Sequence, residues 1–150
     1  MTIDINDNLQ LILPEDYQKV ELPFFNEWIA ALKSGNYKQG TRYLYHPGRN
    51  TYCCLGVLAR VQSEMGIPTP ELNLTEQSAY FYPALDLGNL CYPILSDNGK
   101  LPADVSVKLK TPVKWIATTR ILAEINDNSL ANFEEIAKII EAVYRPVTPT

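Results

Sequence analysis

The sequence predicts an α+β fold: a small, mainly antiparallel sheet with about four to five helices in a single domain. Three observations predict it. Apolar residues recur at helical spacing in several windows, and other short windows are rich in aromatic and β-branched residues. The 11 prolines and 7 glycines among 150 residues cut the chain into short elements. A chain of this length that is 46% hydrophobic suits one domain, 1–150, with its own core.

Residues 1–22 read as a polar lead with a strand around Leu9 to Leu13. A helix starts at Pro23, where proline suits the first helical position; Phe25, Trp28, Ile29 and Leu32 share one face, and Gly35 stops it. Arg42 to Tyr45 and Asn50 to Cys53 form strands about a His46-Pro47-Gly48-Arg49 turn. The second strand feeds a helix on which Cys54, Leu58, Val61 and Met65 recur, ended by Gly66 and Pro68. Ala79 to Tyr82 and Leu90 to Leu95 are short strand candidates in a loop-rich middle, bounded by a turn at Asp97-Asn98-Gly99.

Leu101 to Leu109 reads as a short helix with Pro102 at its start, and Val113 to Ala117 as a strand. Thr119 is placed to cap a helix over Arg120 to Asn126. Asn132 and Glu135 form a capping-box start for a last helix, where Phe133, Ile136, Ile140 and Val143 align until Pro146; residues 146–150 are a flexible tail.

No apolar run approaches the ~18 residues of a membrane span. The polar, acidic start lacks a secretory pattern, so the expected location is the cytosol of the cell that makes the protein. Three cysteines, with Cys53 and Cys54 adjacent, do not form a disulfide framework. A net charge of −4 opposes broad nucleic-acid binding. With one histidine and no C-x-x-C pair, neither a metal site nor a cofactor is expected.

Three segments carry most of the remaining information: Trp28-Ile-Ala-Ala-Leu-Lys-Ser-Gly-Asn-Tyr-Lys-Gln-Gly40, Tyr52-Cys-Cys-Leu-Gly-Val-Leu-Ala59, and Leu122-Ala-Glu-Ile-Asn-Asp127 with Phe133-Glu-Glu-Ile-Ala137 after it. Together they resemble a family of small, mostly uncharacterised proteins encoded by tailed phages and bacterial prophages. The resemblance implies a phage accessory protein in the host bacterial cytoplasm. Such proteins often counter bacterial immunity, and no residue roles come with the likeness.

Residues 36–49 concentrate Lys38, Gln39, Arg42 and Arg49 with Tyr37, Tyr43, Tyr45 and His46. Cations contact phosphates, aromatic rings stack on bases, and Gly35, Gly40 and Gly48 allow close backbone approach. The chemistry suits a nucleotide-like anion, although no phosphate-loop fingerprint is present and a plain solvated loop has the same composition. Asn126 and Asp127 add hydrogen-bonding groups for a ribose or base edge if the fold brings them beside that loop; otherwise they are turn residues.

Cys53 and Cys54 stand at a helix start, where a thiol loses pKa, but their apolar neighbours favour buried packing. The leading expectation is a binder that sequesters a nucleotide-derived immune signal, such as a cyclic oligonucleotide or an ADP-ribose derivative, without cleaving it. A protein–protein inhibitor of a bacterial defence enzyme and a cysteine hydrolase using Cys54 and His46 are the alternatives. Nine tyrosines make a homo-oligomer or protein partner plausible.

Overall fold

A computed structural model describes residues 1–46, 48–66, 99–113 and 116–148, with the backbone alone over 111–113 and 116–117. The strands expected at Ala79 to Tyr82 and Leu90 to Leu95 lie outside the described residues, as do Pro47, Pro68, Asp97 and Asn98. Among the described residues the fold is α+β: four helices, one four-stranded antiparallel sheet and two small two-stranded sheets.

The alternation of leucines with polar residues after Asn8 gives β2 (Leu9–Ile12), with Leu9 and Leu11 fully buried. The polar lead is also a strand. β1 (Thr2–Asp4) pairs with β2, and the Asn6 side chain closes their turn by accepting from Asn8 N and Leu9 N at 2.7 and 2.9 Å. β3 (Val20–Leu22) comes next.

α1 (Phe25–Lys33) buries Trp28 and Leu32. It starts later than Pro23 suggests: Phe24 is the N-cap at φ 63, a left-handed conformation that leaves proline outside the helix. Gly35, at φ 78, lies just past the C-terminus as expected. The expected hairpin forms but is short, with β4 (Tyr45–His46) antiparallel to β5 (Thr51–Tyr52). Arg42 is excluded from it by its φ of 75, and His46 belongs to the strand rather than the turn.

α2 (Cys54–Glu64) is the expected second helix. Gly56 within it is obligatory because a Cβ there would run into the Leu44 carbonyl, a backbone atom with nowhere to go. Met65 sits beyond the helix, half exposed, and is not part of its buried face.

The 101–109 segment departs from the sequence expectation. It is not a helix: Leu101 to Asp104 form a loop and turn, and β6 (Ser106–Val113) starts at once, with Val105, Val107 and Leu109 buried and Lys108 and Lys110 exposed. β6 pairs with β2 on one side (Leu9↔Leu109, Leu11↔Val107) and with β7 (Ile116–Thr119) on the other. The expected strand over Val113 to Ala117 is thus split between two. The register shifts between Lys108 and Val113, the stretch holding Pro112, which has no N–H to give the ladder.

α3 (Leu122–Asp127) has Ile121, not Thr119, at its N-cap. Thr119 lies in β7, where its hydroxyl accepts from Ile121 N (3.2 Å) and donates to Glu124 (2.7 Å). α4 (Phe133–Val143) carries the full capping box: Asn132 Oδ1 accepts from Glu135 N and Glu135 Oε1 from Asn132 N, each at 2.9 Å. α4 ends at Val143, before Pro146, and runs directly into β8 (Tyr144–Pro146), which pairs in parallel with β3.

α1 packs against α4 and α2, and α2 against α3. One core joins the sheet face of Leu9, Leu11 and Val107 to Trp28, Leu55, Leu58, Ile125, Ile136 and Ile140. The indole Nε1 of Trp28 donates to Cys54 O at 3.0 Å and fixes α1 against the start of α2.

Candidate functional site

The chain leaving α1 runs along the free edge of β5. Tyr52 N donates to Lys38 O and Gly40 N to Tyr52 O, both at 2.8 Å, so β5 lies between β4 and residues 38–40. Gly40 permits this approach, since a Cβ there would collide with the Thr51 side chain. Strand pleating then sends neighbouring side chains to opposite sides of β5, Thr51 to one and Tyr52 to the other.

The end of α3 supplies a second wall, although some 85 residues separate it from the first. Asn126, 1% exposed, accepts from Gln39 Nε2 (2.8 Å) and donates through Nδ2 to Gly40 O (2.8 Å) and Asp127 Oδ1 (3.2 Å). Gln39 Nε2 also donates to Ala131 O at 3.0 Å. Asp127 Oδ1 accepts from Arg42 N at 2.8 Å, holding Arg42 in its left-handed conformation. Burial raises the Asp127 carboxyl above its ordinary pKa, and the Arg42 N–H, the Asn126 amide and the Arg42 charge offset this in part.

Between these walls is a cleft of about 770 Å³ lined by Lys38, Gln39, Arg42, Tyr43, His46, Arg49 and Asp127, together with Gly40, Thr41 and Thr51. Seven of the nine residues singled out in the sequence therefore meet around one cavity. Tyr43 and His46 meet edge to face, with ring centroids 4.9 Å apart. His46 Nδ1 accepts from Arg49 N at 3.2 Å, which in the neutral ring puts the proton on Nε2. Lys38 and Arg49 form no ion pair with any described residue. Three cations face a single carboxylate, an arrangement that attracts anions.

The other two residues stand elsewhere. Tyr45 packs behind the cleft on Tyr52, with centroids 4.7 Å apart, and its hydroxyl donates to Asn50 Oδ1 at 3.0 Å. Asn126 is a clamp beneath the floor, both of its amide atoms engaged by protein. Thr41 and Thr51, which the sequence did not single out, complete the lining; the Thr51-Tyr52 alternation within a strand was the available signal for the second.

Cys53 and Cys54 are fully buried. Cys53 is the N-cap of α2, its Sγ accepting from Gly56 N at 3.4 Å, and Cys54 Sγ donates to Leu122 O at 3.8 Å. Burial pushes the Cys53 thiol up to about 12 and Cys54 well above its ordinary value. Desolvation outweighs the helix terminus here, and both thiols stay protonated.

Among the described residues no group of three His, Cys, Asp or Glu is placed to hold a metal ion, and no helix is long and apolar enough to cross a membrane. No curated protein and no solved structure matches the chain. A family model does match, over residues 24–144, from the N-cap of α1 to the first residue of β8; it takes in the whole cleft and leaves out β1, β2 and β3. The family is described as a domain of unknown function (DUF8296), and this chain belongs to it.

Proposed function

We propose that this chain is a phage or prophage accessory protein that holds a nucleotide-derived immune signal, a cyclic oligonucleotide or an ADP-ribose derivative, in the cleft beside β5 and sequesters it in the bacterial cytoplasm without cleaving it. One observation carries the reading: Lys38, Arg42 and Arg49 line a single cavity of about 770 Å³ with the rings of Tyr43 and His46. Small-molecule sites have volumes of roughly 300–1,000 Å³. Cations suit phosphates, aromatic faces suit bases, and the Thr41 and Thr51 hydroxyls suit sugar edges. Sequestration is favoured over turnover because the thiols adjoining β5 are buried and protonated and offer no nucleophile.

The test is to incubate the protein with cyclic dinucleotides, cyclic trinucleotides and ADP-ribose isomers, measure free signal, then heat and measure again. Free signal falls at first and returns intact on heating. An unchanged free concentration, or recovery of degraded product alone, overturns the reading. Replacing Lys38 and Arg49 with Gln removes binding and leaves the melting temperature in place.

A second reading, inhibition of a bacterial defence enzyme, is favoured by the partly exposed tyrosines Tyr37, Tyr45 and Tyr52. It expects a protein to co-purify and nucleotides to leave the melting temperature unmoved.

A further inference from the structure

We infer that the ligand carries two ring systems, one on each side of its phosphates, with the phosphates held by Lys38 and Arg49 on the divide between two cavities. This deepens the nucleotide-binding reading and rests on it.

The divide is β5. On the side away from the cleft lies a second cavity, also of about 770 Å³, lined by Tyr37, Tyr52, Asn50 and Arg60 among others. Lys38 and Arg49 line both cavities. Each cavity holds one edge-to-face aromatic pair: Tyr43 and His46 at 4.9 Å in the first, Tyr37 and Tyr52 at 5.1 Å in the second. Tyr45 supports the second pair from behind, on Tyr52. Burial raises the pKa of the Tyr37 and Tyr52 hydroxyls, so these rings remain neutral stacking surfaces.

The charges are placed to match. Arg60, in the second cavity, is paired with Glu64 at 3.2 Å, and Arg42, in the first, donates its backbone N–H to the Asp127 carboxylate, on which its charge also acts. Lys38 and Arg49 lack an ion pair among the described residues, and both stand where the cavities adjoin. Negative charge is therefore best accommodated in the middle and ring surface at the two ends. A ligand with one ring leaves one aromatic pair unused.

The experiment compares probes that differ by a ring: NAD against ADP-ribose, and cyclic di-AMP and cyclic di-GMP against cyclic AMP and cyclic GMP, by calorimetry on the unsubstituted protein. Within at least one set the two-ring probe binds about tenfold tighter or more, the usual worth of stacking one base. Tyr37→Leu and Tyr43→Leu each abolish that advantage, and one of the two leaves the one-ring probe unchanged; a melting curve checks that each variant folds. Equal affinity for one-ring and two-ring probes overturns the inference and leaves the nucleotide reading standing. Binding of none of the probes removes both. Tighter binding of a short single-stranded RNA than of any free nucleotide makes nucleic acid the ligand and also overturns it.

Discussion

Asn126→Ala is the most informative single change. Asn126 is 1% exposed and joins α3 to the 38–42 segment through hydrogen bonds with Gln39 Nε2 and Gly40 O. Each such bond contributes about 1 kcal/mol net, and a buried polar group left without its partner costs about 1–3 kcal/mol more. Gln39 keeps its bond to Ala131 O, and Gly40 is only partly buried, so the penalty falls at the lower end. The expected loss is about 2–4 kcal/mol, a drop in melting temperature of roughly 5–15 °C for a chain of this size. Thermal unfolding followed by circular dichroism measures it. The mechanism is tested by a cycle with Gln39→Ala, in which the double variant is more stable than the sum of single losses predicts by about 1 kcal/mol, since the shared bond is broken only once. A drop below about 2 °C, or strict additivity, would refute the claim that this clamp holds the cleft wall.

Three further outcomes are expected from other parts of the molecule. Gly56→Ala forces a Cβ into the Leu44 carbonyl and should lower stability by about 3 kcal/mol or prevent folding, read from the urea midpoint or soluble yield. Cys53 and Cys54 should resist iodoacetamide in the native protein and react once it is unfolded. Because the folded pKa of Cys53 is raised from 9.0 to about 12, and that of Tyr144 from 10.0 to about 12, their contribution to stability is complete below pH 9 and is lost as pH rises from 9 towards 12. Asp127→Asn keeps an acceptor for Arg42 N and removes a carboxylate whose ionised form burial disfavours; it should raise the melting temperature at pH 7, with the gain fading as pH falls through the raised carboxyl pKa towards the ordinary carboxylate value and gone below that value, and should tighten binding of phosphate-bearing ligands to the cleft. A lower melting temperature for that variant at about pH 7 than at about pH 3, relative to the parent, would contradict it.

Local signals made much of the fold legible. The capping box at Asn132 and Glu135 marks α4, and the glycines at 35 and 66 mark the ends of α1 and α2, because each is satisfied within a few residues. β6 was misread because Leu101, Val105 and Leu109 also fall at helical spacing, while the alternation of Val105, Val107 and Leu109 with exposed lysines is the pattern that the pairing with β2 selects. β1 and β3 were illegible in a polar lead, since a three-residue strand takes its identity from its partner. For the cleft, the sequence supplied the loop chemistry but not its assembly: nothing local announces that Asn126 reaches Gly40 or that Asp127 fixes the Arg42 backbone. Tyr45 shows the converse, a residue of suitable chemistry that one step of the pleat turns away from the cavity.

The position of Gly40 has a consequence for how any ligand would be held. Its N–H is tied to β5 and its carbonyl to Asn126, so this stretch of the wall is fastened along both edges before a ligand arrives. The entropy of ordering that stretch is then charged to folding, not to association. Under the proposed sequestration, capture is one for one and depends on long residence time, and a wall set in advance is the arrangement that slows escape without slowing entry.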